Sequence, residues 1–444
     1  MKRLPESLDA WLDFIGRQHS AEIDMGLDRV RAVWQRMDSP RPPINIVVGG
    51  TNGKGSTCAM LESMYRAAGY RTGFYSSPHL VRFNERVRIN GIEADDATLI
   101  AAFEAVERAR QNTTDPEPLT YFEFATLAAF HVFAHANLDI GILEVGLGGR
   151  LDAVNLIDGD ASIVVSVDQD HQAYLGNTRE EIGFEKAHIY RTGKPAIFGD
   201  RDPPLRLADF ARSIGARWFA LDGEYSFRTL EGQWDFVASD VARRALPFPA
   251  LRGAYQLKNA SAALMAVECL QSKLPLSIGH IKRGLLEVDW PGRMQVLPGR
   301  PTVVLDVAHN PHAARALDHA LGGMAFAQNS YAVFGMLRDK DIDEVIGILK
   351  HRFDHWFLAG LDAASPRGAT VSDLAAHLTA QGLQSRFSSH VDMAAAYVAA
   401  RERAGPNDRI VAFGSFFTVA EILRHASQRT SPSADGRSTG IDQC

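Results

Sequence analysis

The fold is decided by one stretch, Ile44-Asn45-Ile46-Val47-Val48-Gly49-Gly50-Thr51-Asn52-Gly53-Lys54-Gly55-Ser56-Thr57. Its first five residues form a mainly apolar run of the length of a buried strand. Beyond the run, apolar residues recur at helical spacing at Leu61, Met64, Tyr65 and Ala68. A glycine-rich loop between a strand and a helix is the context in which many proteins bind phosphate.

The loop 50–57 supplies what a phosphate group needs. Glycines allow backbone N–H groups to approach phosphate oxygens, and the N-terminus of the following helix adds partial positive charge. Lys54 is placed to reach the outer phosphates of a nucleotide. The strict GxxxxGK[ST] pattern is not met, because Val48 stands at its first glycine and Gly55 separates Lys54 from Ser56. The alternative is a glycine-rich turn without a ligand, but the loop and its context favour a nucleotide.

Strands and helices alternate along the rest of the chain. Buried-strand patterns are predicted at 44–48, 72–76, 140–145 and 163–167, and a second series at 302–307, 331–334, 356–359 and 410–413. Residues 225–250 show the short alternating runs of a small β excursion. The predicted fold class is α/β. It has an N-terminal P-loop domain, mainly a parallel sheet with the β excursion, and a smaller C-terminal doubly wound (Rossmann-like) α/β domain.

Punctuation and composition predict the domain boundaries. Pro-Gly pairs at 291–292 and 298–299 mark a linker. We predict an N-terminal nucleotide-binding P-loop domain at 1–295 and a C-terminal domain at 296–428. The last residues, 429–444, are rich in Ser, Gly and Asp, so we expect a disordered tail.

Composition excludes several classes of protein. The 444 residues carry 47 Lys and Arg against 53 Asp and Glu, a formal net charge of −6, which argues against a nucleic-acid binder. Three cysteines without CxxC spacing form no disulfide framework. The longest uncharged apolar stretch, 124–138, is shorter than the ~18–20 residues of a membrane span, and no signal peptide follows Met1-Lys2-Arg3. We expect a cytoplasmic monomer without a membrane partner.

Two residues that follow predicted strands are candidates for metal binding. Glu144 precedes the glycine-rich segment 146–149, at the strand end where ligands of parallel sheets bind. Its carboxylate suits Mg²⁺ as a hard oxygen ligand, or it caps the glycine-rich loop. His171 follows strand 163–167 beside Asp168 and Asp170. It is a metal ligand, a general base, or only a hydrogen-bonded residue.

For three charged residues, the physical argument alone does not establish a functional role. Lys186 lies on a helix that a capping box opens at Thr178, and spacing alone predicts a solvated surface lysine. Arg293 lies in the linker and Asp306 at a strand end before a helix that begins with Pro311. Arg293 suits a phosphate clamp, and both residues suit structural ion pairs equally well.

Ten ordered motifs resemble the folylpolyglutamate synthase family, within the Mur ligase superfamily, from about residue 10 to about residue 425. They are GTNGKGST (50–57), YSSPHLVRFNERVRING (75–91), LTYFEF (119–124), LEVGLGGRLDAVN (143–155), DHQAYLG (170–176), EKAHIYR (185–191), LKNASAAL (257–264), PGRMQ (291–295), DVAHNPHA (306–313) and GMLRDKD (335–341).

The resemblance implies an ATP-dependent amide ligase. ATP phosphorylates a carboxylate, and the amino group of L-glutamate attacks the acyl phosphate, which releases ADP and phosphate. The acceptors implied are dihydropteroate, which gives dihydrofolate, and the γ-carboxylate of reduced folates. The alternatives are a monofunctional folylpolyglutamate synthase and a Mur-type ligase with a different acceptor.

The resemblance also implies roles for individual residues. ATP contacts fall on Thr51, Asn52, Gly53, Lys54, Gly55, Ser56, Asn259, Arg293 and Asp306. Mg²⁺ ligands, for two ions, fall on Ser77, Glu144, His171 and Lys186, the last as a carbamate. The catalytic residues expected are Lys54, His171 and Lys186. The acceptor pocket falls on Ile23, Asp24, Met25, Gly26, Thr120, Tyr121, Phe122, Leu151, Asp152 and Ala153.

Overall fold

A computed structural model describes residues 4–37 and 39–430, with side chains as far as Ala426. The chain forms two compact units. One comprises the residues up to 295 with Arg315–Met324, and the other comprises Val296–Ala314 with the residues from 325 onward. The first residues, 1–3, and most of the predicted tail, 431–444, lie outside the described residues. Helix continues through Thr430, so the first two residues of the predicted tail are helical.

An eight-stranded sheet forms the centre of the first unit, in the order β4-β3-β2-β5-β1-β6-β7-β8. Six strands are parallel, and β3 and β4 add an antiparallel hairpin at one edge. The strands are β1 (Asn45–Gly49), β2 (Thr72–Tyr75), β3 (Val87–Ile89), β4 (Ile92–Glu93), β5 (Ile140–Glu144), β6 (Ala161–Val164), β7 (Pro195–Phe198) and β8 (Arg217–Ala220).

Helices cover both faces of this sheet, because alternate strand residues point to opposite sides. Val47 joins an apolar cluster with residues of α1, α2, α4, α5, α7 and α8, whereas Ile46 and Val48 join a second cluster with α3, α9 and α10. The helices are α1 (Leu8–Ile15), α2 (Asp28–Met37), α3 (Lys54–Ala67), α4 (Asp96–Gln111), α5 (Tyr121–His135), α6 (Gln172–Leu175), α7 (Arg179–Ala187), α8 (Leu205–Ser213), α9 (Gln256–Leu270) and α10 (Ile278–Glu287).

The β excursion is a three-stranded antiparallel sheet in the order β11-β10-β9. Its buried residues Tyr225, Trp234, Phe236 and Leu246 belong to the second apolar cluster. The strands are β9 (Tyr225–Leu230), β10 (Gln233–Ala238) and β11 (Val241–Leu246).

The second unit is built on a six-stranded sheet in the order β12-β13-β17-β14-β15-β16, in which β13 to β17 pair in parallel. The strands are β12 (Gln295–Leu297), β13 (Thr302–Leu305), β14 (Ser330–Phe334), β15 (His355–Ala359), β16 (Phe387–His390) and β17 (Arg409–Phe413). The helices are α11 (Pro311–Gly322), α12 (Ile342–Leu349), α13 (Val371–Ala380), α14 (Met393–Arg403) and α15 (Phe416–Thr430).

The predicted fold class is confirmed, with two local corrections. The strand predicted at 163–167 is Ala161–Val164, and the apolar residues after it form a buried loop. That loop stays beside β1, because the Val165 N–H donates to the Gly49 carbonyl at 2.9 Å. The helix opened by the capping box at Thr178 ends at Ala187, three residues before the predicted Tyr190. Within the described part of the chain, no helix is long and apolar enough to cross a membrane.

Helix α10 packs closely on α3 through a glycine. A Cβ on Gly284 would lie 2.5 Å from the Met64 Cα and 2.6 Å from its backbone nitrogen. The Ser63 hydroxyl donates to the Gly284 carbonyl at 2.8 Å, so the two helices are joined at this point. The contact lies near the C-terminal end of α3, which begins at Lys54.

We expect Gly284→Ala to lower the free energy of unfolding by about 1–3 kcal/mol, because backbone atoms of α3 must move to admit the methyl group. Gly279→Ala is the control on the same helix, since the nearest atom to its Cβ would be 3.6 Å away. That variant should be neutral or stabilised by up to ~1 kcal/mol, as alanine favours helix. Urea unfolding followed by circular dichroism measures both, and equal stabilities would contradict the close contact.

Candidate active site

The glycine-rich loop connects β1 to α3 with two residues in conformations that favour glycine. Gly50 has φ 144° and Gly53 has φ 88°, and Gly53 is the N-cap of α3. A Cβ on Gly53 would lie 2.6 Å from the Asn259 Oδ1. The first turn of α3 therefore presents backbone N–H groups from a tightly enclosed loop, as phosphate binding requires.

The segment after β6 holds this loop in place. The Thr51 N–H donates to the Ser166 carbonyl at 2.8 Å, and the Asn52 N–H donates to the Ser166 hydroxyl at 3.1 Å. The Thr51 hydroxyl donates to the Asp168 carbonyl at 3.1 Å. The conformation of the loop is therefore fixed by hydrogen bonds to the segment that follows β6, as well as by the loop's own residues.

Two lysine side chains meet at the Gly50 carbonyl. The Lys54 ammonium donates to the carbonyls of Gly50 and Thr51 at 3.0 and 3.3 Å. The Lys186 ammonium donates to the same Gly50 carbonyl at 3.3 Å. Lys54 therefore places positive charge beside the loop, although the whole chain is acidic.

Lys186 contradicts the surface position that spacing alone predicts. Its side chain lies on α7, and the residue is only 4 % exposed. Burial, with the positive charge of Lys54 second, lowers the pKa of Lys186 from 10.5 to about 7, against the opposing effects of Asp170 and Asp152. A large share of this amine is therefore neutral at physiological pH, and a neutral amine is nucleophilic.

Glu144 ends β5 and is also 4 % exposed. Burial raises the pKa of its carboxyl to about 7, and the charges of Lys54 and Arg293 oppose that rise. The Ser77 N–H donates to the Glu144 Oε2 at 3.4 Å, so two predicted metal ligands are neighbours. A divalent cation would compensate a carboxylate buried in this way.

His171 is the N-cap of the short helix α6 and has φ 52°. Its backbone N–H donates to the Asp170 Oδ1 at 2.8 Å, and its ring Nε2 lies 3.9 Å from the same oxygen. Among the described residues, no group of three or more His, Cys, Asp or Glu is arranged to hold a metal. The predicted set contains only two residues of those types, and its other members are Ser77 and Lys186.

Sequence reasoning missed Gln256, which belongs to the same enclosure. Its amide donates to the Ser56 hydroxyl at 3.4 Å and accepts from the Asn259 amide at 2.8 Å. All three residues are buried. The spacing of Gln256 and Asn259, three residues apart on α9, was the signal that both face the loop.

The segment 146–149 brings three predicted acceptor segments together. A Cβ on Gly146 would lie 2.6 Å from the Phe122 ring, and one on Gly148 would lie 3.7 Å from the Met25 Cε. The Asp152 carboxylate accepts from the Leu147 N–H at 2.8 Å. A Cβ on Gly149 would lie 3.0 Å from the Lys186 Cα.

Two of the predicted acceptor residues also stabilise the local backbone through side-chain hydrogen bonds. Thr120 is the N-cap of α5, with Glu123 completing the capping box. Asp152 also accepts from the Val154 N–H at 2.9 Å and caps a 3-10 turn at Ala153–Leu156. Burial raises the pKa of Asp152 to about 6, and its backbone hydrogen bonds oppose that rise.

Arg29 was not predicted, yet it joins two of the acceptor segments. Its guanidinium donates to the Asp24 carboxylate at 2.6 Å, to the Asp24 carbonyl at 2.8 Å and to the Glu123 carboxylate at 2.9 Å. His19 lies 3.2 Å from the same Asp24 oxygen. The signal was an acidic and a basic residue five positions apart, which is too common to single out.

Asp306 belongs to the second unit, directly after β13. It is buried, and its carboxylate accepts from the Ala308 N–H at 2.8 Å. Its backbone N–H donates to the Ala412 carbonyl at 3.0 Å, so neighbouring strands fix its position. Its predicted nucleotide contact stays a prediction.

Comparisons with known proteins show which family the chain belongs to. The Mur ligase middle domain matches residues 48–267, and the Mur ligase, glutamate ligase domain matches residues 292–416. The dihydrofolate synthase/folylpolyglutamate synthase of Escherichia coli (strain K12) is 41% identical over 435 residues, which cover 97% of this chain and 99% of that protein. The chain belongs to the dihydrofolate synthase/folylpolyglutamate synthase family of Mur ligases. The resemblance found in the motifs is therefore confirmed.

Solved structures of this family share the fold. The E. coli enzyme FolC in complex with DHPP and ADP has a TM-score of 0.90 and 40% identity, covering 97% of this chain and 100% of that one. A bifunctional folylpolyglutamate synthase/dihydrofolate synthase with Mn, AMPPNP and L-glutamate bound has a TM-score of 0.87 and 41% identity, covering 95% and 98%.

The burial of Lys186 predicts a pH-dependent stability. The pKa of Lys186 is about 7 when folded against 10.5 for a free lysine, so the unfolded chain binds more protons between these values. The stability of the wild type should therefore rise with pH relative to Lys186→Met, which cannot titrate. We expect the difference in unfolding free energy to change by about 1.4 kcal/mol per pH unit between pH 7.5 and 9.5.

Urea unfolding in bicarbonate-free buffer measures this difference. Lys194→Met is the matched control, because Lys194 is half-exposed and pairs with Asp160 at 3.1 Å. A Lys186→Met difference that follows the control at every pH would contradict the burial of a lysine at this position.

Proposed function

We propose that this protein is an ATP-dependent ligase that joins L-glutamate to dihydropteroate, giving dihydrofolate, and to the γ-carboxylate of reduced folates. Membership of the family supports the reaction. The observation that carries the proposal is the arrangement around Glu144. The glycine-rich loop 50–57, the buried carboxylate of Glu144 and the three proposed acceptor segments lie together around the short segment 144–149.

The reaction has two steps, each of which forms one bond and breaks another. Charge neutralisation and the positioning of the reactants promote both steps. An acceptor carboxylate oxygen attacks the γ-phosphorus of ATP, and ADP leaves. The glutamate amine then attacks the acyl carbon, phosphate leaves, and the amine loses its protons to solvent or base. Hydroxide is a poor leaving group from a carboxylic acid and phosphate is a good one, so phosphorylation makes amide formation feasible. Catalysis then rests on orientation and charge neutralisation.

We propose nucleotide contacts from the glycine-rich loop and from residues that surround it. Thr51 to Ser56 offer backbone N–H groups and the Lys54 ammonium to the phosphates. Asn259, held by Gln256, encloses Gly53. Arg293 and Asp306 complete the proposed set, the first as a phosphate clamp.

A divalent cation is proposed as cofactor, because a similar enzyme is solved with Mn and AMPPNP. Ser77, Glu144 and His171 would hold Mg²⁺, and Lys186 as a carbamate would supply an anionic oxygen for a second ion. The neutral amine of Lys186 suits carbamate formation, since CO₂ reacts with amines and not with ammonium ions. The cation neutralises phosphate charge when bound.

The acceptor pocket is proposed at the segments that meet 146–149. Phe122 offers a ring for stacking and lies 6.4 Å from the Tyr75 ring centroid. Asp24 suits the amino group of a pterin, and Arg29 fixes its orientation. Thr120 and Asp152 would act through backbone positions, because their side chains already bind backbone N–H groups. We also propose that the protein works in the cytoplasm as a monomer.

The direct test is a paired assay with ATP, Mg²⁺ and L-glutamate, with dihydropteroate in one arm and a reduced folate in the other. Both arms should release ADP and phosphate in a glutamate-dependent manner. Lys54→Ala should lower turnover in both by about 100-fold or more, because the phosphates lose their nearest fixed charge.

The outcome separates the alternatives. Turnover with the folate alone would indicate a monofunctional folylpolyglutamate synthase. Turnover with neither acceptor would refute the proposal and favour a Mur-type ligase with a different acceptor. A Lys54→Ala protein that is folded and fully active would refute the phosphate-loop assignment.

Arg29→Ala tests the acceptor pocket. Losing three charge-assisted hydrogen bonds frees the loop around Asp24, so we expect KM for dihydropteroate to rise about tenfold or more, with KM for ATP within twofold of wild type. Arg31→Ala is the control two residues away, since Arg31 is half-exposed and pairs with Asp28 at 3.2 Å. Equal acceptor KM values in the two variants would contradict the role of Arg29.

A further inference from the structure

The indole of Trp290 packs against the phosphate loop. A Cβ on Gly55 would lie 2.6 Å from the Trp290 Nε1 and 3.1 Å from its Cε2. Gly55 is the second residue of α3, next to Lys54 and Ser56. Its φ is not positive, so glycine is required here by the close approach of the indole and not by backbone conformation.

The indole cannot easily move away from Gly55. Its ring centroid lies 5.0 Å from that of Phe74, at an interplanar angle of 36°. The Arg88 guanidinium lies 5.8 Å from both ring centroids. Arg88 in turn pairs at 3.2 Å with Glu62, which is buried on α3. Arg88, which packs against the indole, is thus held by Glu62 on the same helix that the indole contacts.

We infer that Trp290 is a positioning residue that holds the first turn of α3, and with it the phosphate-binding backbone, in the geometry that ATP requires. The inference rests on the proposed nucleotide site and goes beyond it, because no motif singled out Trp290. Donors aimed at phosphate oxygens must be placed within a fraction of an ångström, so a brace against the helix start affects binding directly.

A double-mutant cycle tests this coupling. The variants are Gly55→Ala, Trp290→Leu and the double variant, and the measurements are the Kd of MgATP by calorimetry and KM for ATP. Gly55→Ala should weaken ATP binding by about tenfold or more, because the methyl group and the indole overlap. Trp290→Leu should raise KM for ATP about three- to tenfold. The double variant should bind at least fivefold better than the product of the two single effects predicts, since the smaller side chain makes room.

Two further variants separate positioning from packing. Trp290→Phe keeps a ring beside Phe74 and should bind ATP closer to wild type than Trp290→Leu does. Trp34→Leu is the control, because Trp34 also packs on one phenylalanine, Phe130, with centroids 5.6 Å apart, but in the first apolar cluster. It should lower the midpoint of thermal unfolding without changing the Kd of MgATP.

Additive effects of Gly55→Ala and Trp290→Leu on the Kd would overturn the inference, as would equal effects of Trp34→Leu and Trp290→Leu. A wild type that binds MgATP without ligating glutamate would contradict the proposed function alone, since the binding cycle is still measured. A wild type that binds no MgATP would overturn both.

Discussion

The site depends on one constraint, the position of β1 between β5 and β6 in a parallel sheet. All three strands end at the same edge, so the loops that follow them must meet there. The Val145 N–H donates to the Val48 carbonyl and the Val165 N–H to the Gly49 carbonyl, both at 2.9 Å. These bonds extend the pairing past the strands and fix the start of each loop. The phosphate loop, Glu144 and the segment before His171 are neighbours for this reason.

Burial of charge is the second property of the site. Glu144 and Lys186 are both almost inaccessible, and burial moves the pKa of each toward neutrality, from opposite directions. Lys54 opposes the shift at Glu144 and adds to it at Lys186. The site is therefore held in a state whose charge responds to a ligand, and binding an anion or a cation there changes the balance at both groups. The formal charge of −6 over the whole chain says little about this region.

The sequence was sufficient for the fold class and for residues tied to a local motif. The position of Glu144 at a strand end follows from the apolar run before it, and the strand–loop–helix at 44–57 follows from the glycines and lysine after a strand pattern. Lys186 was misjudged from spacing, since helix periodicity does not say that Gly149 would bring another loop onto that helix. Arg29 and Trp290 could not be found at all. Besides the nearby Asp24, Arg29 contacts Glu123, 94 positions away, and Trp290 contacts Gly55, about 235 positions away, so only tertiary packing brings these groups together.

The glycines of 146–149 explain how the sheet edge and the proposed acceptor segments are brought into contact. Each position is close to a different partner: Phe122 at Gly146, Leu175 at Gly148 and the backbone of α7 at Gly149. A side chain at any of these three glycines would push its partner away from the segment. Glu144 enters this segment from the sheet, and Asp152 closes it by accepting from the Leu147 N–H. Because both ends are held by buried carboxylates, the segment transmits the position of the sheet edge to the acceptor segments. The same short loop thus links the strand end beside the glycine-rich loop to the segments proposed for the acceptor.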